Sequence, residues 1–412
     1  MPHAPNLFRA TLTLLAGSAL AQALPLLLGP WIARLYTPAE YGQFSLVWTV
    51  AMNLAVVGCA RYEFALALED DLHAARLLAL CMRVLMAVTA TAALIAGAWM
   101  WWADLPLAAM LPLAVLALAA SQALSQWAAR AGQFAAVARA RLMQWGGGAL
   151  AQLGLGIAQA GPWGLIGGAT LATAWAAALQ ARPAPQGGWA ALHRPQPLAA
   201  LARKHRAFPL LNTPHAFAGA LQDTLAIALL TAWLGAPEAG AWALALRYLK
   251  APASLVGGSL SQTLYPQLTR ARSPQEARLL VQRSLAVLAA LALPLMAALL
   301  VWGPWLFEWL FGPAWRDAGL LARSLAPYVA LHFIASPLSV VPMAWGVQAW
   351  ALKLALVGQI VFIGGLAIGL QLGGLAGAGW GVSVATACYF GYFFWGLLQR
   401  APSVSASIKE TP

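Results

Sequence analysis

Two long intervals contain no Asp, Glu, Lys or Arg: one runs from Arg141 to Arg182, the other from Lys353 to Arg400. Each has room for two bilayer crossings of roughly 20 apolar residues. A soluble domain carries about 25% charged residues, whereas this chain of 412 residues carries 9%, with 61% hydrophobic. It therefore reads as an all-α polytopic membrane protein. The same balance excludes a secreted disulfide scaffold, a nucleic-acid module and a disordered chain. Cys59, Cys81 and Cys388 lie in or beside apolar segments without metal spacing, and read as packing residues. The first apolar run continues to Ala33, too long for a signal-peptide core, and reads as an uncleaved helix.

Gly/Pro punctuation and charge positions divide the chain into about twelve spans: 10–33, 41–60, 77–101, 107–129, 142–160, 162–181, 208–234, 239–264, 284–306, 319–344, 354–372 and 375–398. The runs are long and Ala/Leu-rich and lack period-two alternation, which argues against strands. With an even count both termini share a side, and 19 of the 24 Lys and Arg fall there. They include Arg9, Arg61, Arg130, Arg194, Arg272, Lys353 and Lys409, while the opposite side receives Arg34, Arg316 and Arg323. This bias predicts cytoplasmic termini. The net charge of +12 is then mostly an orientation signal, with some attraction to anionic membrane lipid and no nucleic-acid partner.

The longest inside loop predicts two six-helix lobes, 1–181 and 208–400, joined by a cytoplasmic linker 182–207 and followed by a tail 401–412. Traces of an internal repeat agree. Glu40-Tyr41-Gly42-Gln43-Phe44-Ser45-Leu46 opens span 2, and Glu238-Ala239-Gly240-Ala241-Trp242-Ala243-Leu244 opens span 8. Gly164-Leu165-Ile166-Gly167 and Gly374-Leu375-Ala376-Gly377 open spans 6 and 12. Lobes with an even number of spans share one topology, the parallel repeat that encloses a central cavity.

Much chemistry is missing. No phosphate-binding G-x-x-x-x-G-K-[ST] loop, metal-spaced His/Cys cluster or G-x-S-x-G turn is present. No cofactor or metal is expected, and catalytic residues are assigned to none. Glu69-Asp70-Asp71 reads as a solvated loop that starts a helix, with a metal or sugar-nucleotide site as the lesser alternative. Outer loops are short and poor in carboxylates, so a membrane polysaccharide polymerase or ligase is the poorer hypothesis.

Ionisable groups at membrane depth mark cavities, pathways or ion pairs. Arg247 and Lys250 share one face of span 8 at spacing i, i+3. Arg247 lies about 10 Å inside the span, and Asp223 in span 7 and Lys250 each lie roughly 20 Å below the turn at Ala236-Pro237. Asp223 is therefore an ion-pair or coupling candidate, and Arg247 leaves an excess cation suited to an anionic substrate. Arg34 and Arg61, at helix ends, are further candidates; each also reads as a snorkelling interface residue. Trp99, Trp101, Trp102, Trp302 and Trp305 read as an interfacial belt, and Pro25, Pro252, Pro294 and Pro337 invite bends.

Several motifs resemble the bacterial polysaccharide flippases, the O-antigen and exopolysaccharide branch of the MATE-like superfamily. The strongest is Arg34-Leu35-Tyr36-Thr37-Pro38-Ala39-Glu40-Tyr41-Gly42-Gln43-Phe44. Arg61-Tyr62-Glu63, Leu68-Glu69-Asp70-Asp71, Phe208-Pro209, Leu246-Arg247 through Pro252-Ala253-Ser254-Leu255, and Phe311-Gly312-Pro313-Ala314-Trp315-Arg316-Asp317 extend the likeness. The resemblance implies a two-lobed bundle that alternates between inward- and outward-open states. It also implies an undecaprenyl-diphosphate-linked oligosaccharide substrate, with polymerase and chain-length machinery as partners. A diphosphate calls for Arg-type donors. The coupling ion, H+ or Na+, stays open. Alternatives of the same fold are a cation-coupled multidrug exporter and a peptidoglycan-precursor flippase.

Overall fold

A backbone in hydrocarbon finds no water to satisfy its N–H and C=O groups, so apolar runs of this length must close their hydrogen bonds internally as helices. The computed structural model follows that rule: it describes residues 7–182, 184–185, 188–189, 198–271 and 273–400, which are nearly all helical, with no strand among them. Arg194, Arg272, Lys409, the tail 401–412 and much of the linker 182–207 lie outside the described residues. The chain divides into two compact units, Met1–Ala228 and Leu229–Pro412.

The first unit contains α1 (Leu7–Leu35), α2 (Pro38–Val56), a 3-10 turn (Tyr62–Leu68), α3 (Asp71–Trp102) and α4 (Leu111–Arg130). It continues with α5 (Phe134–Leu142), a π turn (Met143–Gly147), α6 (Gly148–Ile157), α7 (Gly161–Gln180) and the short α8 (Leu198–Lys204). Most of α9 (Thr213–Trp233) also belongs to it, although that helix was placed by sequence at the opening of the second lobe. The second unit is built from α10 (Ala236–Thr269), α11 (Pro274–Phe311), α12 (Arg316–Leu338), α13 (Val341–Ala344) and α14 (Gln348–Gln399).

Every expected span falls on helix. Among the described residues, six stretches are long and apolar enough to cross a membrane by length and composition: Asp71–Trp102, Pro106–Arg130, Phe208–Trp233, Pro274–Phe311, Pro313–Ala344 and Gln348–Gln399. The last is two helices merged across a kink at Gly373 and Gly374, the residues between the expected spans 354–372 and 375–398. Gly374 takes φ 59°, where a side chain would be strained. Pro25, Pro252, Pro294 and Pro337 all lie inside continuous helices. Span 2 is shorter than expected, because α2 stops at Val56 and the apolar residues after it form turns.

Two of these stretches are interior. The stretches Pro106–Arg130 and Pro313–Ala344 are 61% and 67% buried, against 17–28% for the other four. They are spans 4 and 10, equivalent positions under the proposed duplication. Leu111, Val115 and Leu118 of α4 and Leu321, Leu325 and Val329 of α12 form the two cores. Glu40 and Glu238 likewise each sit at the third residue of their helix, α2 and α10.

The α14 hairpin closes backbone to backbone. A Cβ on Gly369 would collide with the Gly377 carbonyl, and one on Gly381 with the Gly365 carbonyl. Backbone cannot yield as a side-chain end can, so Gly369→Val should cost about 1–3 kcal/mol through overpacking. Gly364 has open space around its Cβ position. In detergent, the thermal midpoint should fall for Gly369→Val and hold for Gly364→Val; equal midpoints would count against the close contact.

Candidate functional site

Gly235, at φ 114°, turns the chain into α10, and Pro237 stands in the first turn, where its missing N–H costs nothing. At 100° per residue, Trp242, Ala245, Leu249 and Ala253 form the inward face of this helix, and all are buried. Trp242 meets Phe362 edge-on at 6.3 Å. Arg247 and Lys250 lie on the other side, grouped with Ala243, Ala251 and Ser254. Both cations are half-buried. The face that the second unit leaves least packed thus combines small residues with two cations, a surface on which an anion can approach the helix.

Tyr248 flanks that face. Its ring packs at 4.6 Å against Phe311, the last residue of α11. Arg247 itself lies about 17 Å along α10 from the helix start. On the other flank of α10, Tyr248, Leu249, Pro252, Leu299, Phe307 and Val329 line a cavity of about 150 Å³. Its lining is apolar and does not suit a diphosphate.

The first unit holds the remaining candidates. Arg34 is exposed in the last turn of α1, where a cation favours the helix dipole. The residues after it are a joint. The buried Tyr36 hydroxyl donates to the Gln152 carbonyl at 2.8 Å. Thr37 and Glu40 then form a capping box: the Glu40 amide donates to the Thr37 hydroxyl oxygen at 3.3 Å, and the Thr37 amide donates to the Glu40 carboxylate at 2.8 Å. Asp223 is exposed on α9. Arg61 is in the left-handed region (φ 62°), beneath which Glu63 lies 4.0 Å away, and its guanidinium covers the Phe64 ring at 5.0 Å.

Two further clusters were invisible in the sequence. Arg130, counted there only as a loop charge, is a three-way tie. It donates to the Leu66 carbonyl (2.9 Å), the Glu69 carbonyl (2.7 Å) and the Asp71 carboxylate (2.8 Å). Glu69 was expected in a solvated loop but is buried, because Lys204 and His205 clasp its carboxylate. Asp70 does start a helix: it accepts from the His73 amide at 2.8 Å, which holds its carboxyl below the ordinary range. Among the described residues, no group of three or more His, Cys, Asp and Glu gathers as a metal site.

The Lys204 hydrogen bond, supported by His205, holds the Glu69 carboxyl below the ordinary carboxylate range. A depressed carboxyl stabilises the fold above its unfolded pKa, about 4.3 for Glu, and loses that contribution as pH falls through the folded value. The melting difference between wild type and Glu69→Gln should therefore be full at neutral pH and vanish only in acid below the ordinary range. A difference independent of pH would count against the clasp.

The family described as polysaccharide biosynthesis protein matches residues 31–319. No curated protein matches the sequence. The fold is similar to the inward-facing conformation of a multidrug resistance MATE family transporter of the MOP superfamily: TM-score 0.67, 13% identity, 93% of this chain and 100% of that chain covered. It is also similar to the lipid II flippase MurJ in an inward closed conformation: TM-score 0.69, 9% identity, 95% and 87% covered. A MATE transporter from Vibrio cholerae matches with TM-score 0.53 at 17% identity, with 96% of each chain covered. At these identities the likeness is one of fold. With the six apolar stretches, it describes a multi-pass helical membrane protein with a MATE-like fold.

Proposed function

This chain belongs to the polysaccharide biosynthesis protein family, and from that premise we propose that it is a flippase for undecaprenyl-diphosphate-linked oligosaccharide, working by alternating access. The observation that carries the reading is the α10 face bearing Arg247 and Lys250. A diphosphate presents paired oxygens that match a guanidinium fork, with Lys250 as a second point charge. The lipid tail stays in the bilayer while the sugar head crosses. Arg34 and Arg61 supply further donors, and Asp223 is the acidic member of the set, as ion-pair partner or coupling carboxylate. The Lys/Arg bias supports an inner-membrane location with both termini in the cytoplasm. Polymerase and chain-length machinery would take over the product outside. The basic face argues against a carrier of cationic drugs, which would favour acidic groups.

Proteoliposomes test this directly. A fluorescent hexose-capped prenyl diphosphate placed in both leaflets should become fully accessible to a membrane-impermeant quencher only when the protein is present. A cationic dye should not move. Dye transport without movement of the prenyl diphosphate would overturn the substrate reading in favour of an exporter.

A further inference from the structure

Glu63 is the most unusual acid among the described residues. Its side chain is 3% exposed, and its Oε2 is buried without a hydrogen-bond partner. Native proteins rarely leave such an oxygen unsatisfied, because burial of an unpaired carboxylate is costly. Burial raises the Glu63 carboxyl above the ordinary range, against smaller opposing effects of its own backbone amide and Arg61. The segment before it is strained as well. Ala60 (φ 49°) and Arg61 (φ 62°) are consecutive non-glycine residues in the left-handed region. That backbone holds the Arg61 guanidinium 4.0 Å from Glu63, at the edge of contact, with 22% of the Arg61 side chain exposed.

The surroundings leave Arg61 as the cation that answers Glu63. From α3, the thiol of Cys81 faces Glu63 and interacts with Cys59 as well. From α4, Arg130 is committed to Leu66, Glu69 and Asp71. On the side of α8 and the turn Phe208–Asn212, Lys204 and His205 are committed to Glu69. Tyr62, in the same turn as Glu63, donates to the Ala202 carbonyl at 3.4 Å.

We propose that Glu63 is a proton-binding site whose occupancy decides whether Arg61 is held by a carboxylate or released to a substrate anion. A proton on Oε2 neutralises the carboxyl and frees the guanidinium for a diphosphate oxygen. When the proton leaves, the carboxylate reclaims Arg61 and competes with the anion. Proton binding and anion binding at this site are then linked, each favouring the other. The anion half of this inference rests on the flippase reading above; the proton half does not.

The experiment uses the full chain in lipid nanodiscs and a hexose-capped prenyl diphosphate, whose diester phosphates do not titrate near neutrality. Wild-type affinity should fall as pH rises above the Glu63 pKa, by up to about tenfold per pH unit, the limit for one linked proton. Glu63→Gln should bind tightly with no such slope. Arg61→Ala should bind weakly with no slope, and the double variant should match Arg61→Ala. In parallel, infrared difference spectra of the protein without probe should show a carboxylic-acid band that titrates and is lost in Glu63→Gln. An unchanged slope in Glu63→Gln, or the absence of that band, overturns the inference and leaves the flippase reading standing. Failure to bind the probe at any pH overturns the flippase reading and the anion half with it, and the infrared band then decides the proton site alone.

Discussion

Arg247→Ala should abolish polymer at the cell surface while the protein remains in the membrane at near wild-type abundance. The argument is one of location and geometry. Arg247 is half-buried on the least packed face of α10, beside Ala243, Ala251 and Ser254 rather than in the core that Trp242 and Leu249 occupy. Removing it opens no cavity in that core, so the fold should survive. The loss falls instead on the substrate, which gives up a bidentate, charge-assisted contact. Arg247→Lys should keep part of the export, because it preserves charge but not the fork. Surface polymer staining set against immunoblots of membranes measures both quantities. Full export by Arg247→Ala at normal abundance would return the residue to a structural role.

Arg130→Ala should show the opposite pattern, lost protein rather than lost function at constant protein. Its side chain is 19% exposed, and two of its three bonds go to main-chain carbonyls, Leu66 and Glu69. Truncation leaves both without this donor, at about 1–3 kcal/mol for each group that water cannot reach. The third bond, to Asp71, contributes little, since that carboxylate is 69% exposed. A total of about 2–6 kcal/mol is expected from the two carbonyls. Arg130→Ala should thus lower the thermal midpoint in detergent by roughly 5 °C or more, with Asp71→Ala close to wild type. A large loss in Asp71→Ala, or none in Arg130→Ala, would show that the carbonyl contacts are not what holds the turn.

The contrast between these two arginines shows what was legible in the sequence. Helices were readable because an apolar run in lipid has one economical backbone solution, and the Gly373-Gly374 pair marked its own break. Arg247 stood out because a charge interrupts such a run. Arg130 did not, because at a helix end a charge looks like any other member of the cytoplasmic set. Its partners, Leu66 and Glu69, are found only once the turn folds back across α4. The clasp of Glu69 by Lys204 and His205 joins residues far apart in the chain, and nothing local announces it. The end of span 2 was misplaced for a related reason. Val57 to Ala60 are apolar or small, and the left-handed residues are Ala60 and Arg61 rather than the nearby Gly58. In the R-L-Y-T-P-x-E motif, what looked like one functional signature separates into a tyrosine anchor and a helix cap, with Arg34 as its single cation.

The glycine contacts within α14 bear on motion as much as on stability. Where Gly365 and Gly369 meet Gly381 and Gly377 there is no layer of side chains to slide or repack. The two arms of that hairpin are geared together, so a rotation imposed on one must be inherited by the other. In a carrier that rocks between two states, such a pair behaves as one oar instead of two reeds. Spin labels at Ile368 and Val384, both exposed on these arms, should then report the same separation whichever way the protein opens.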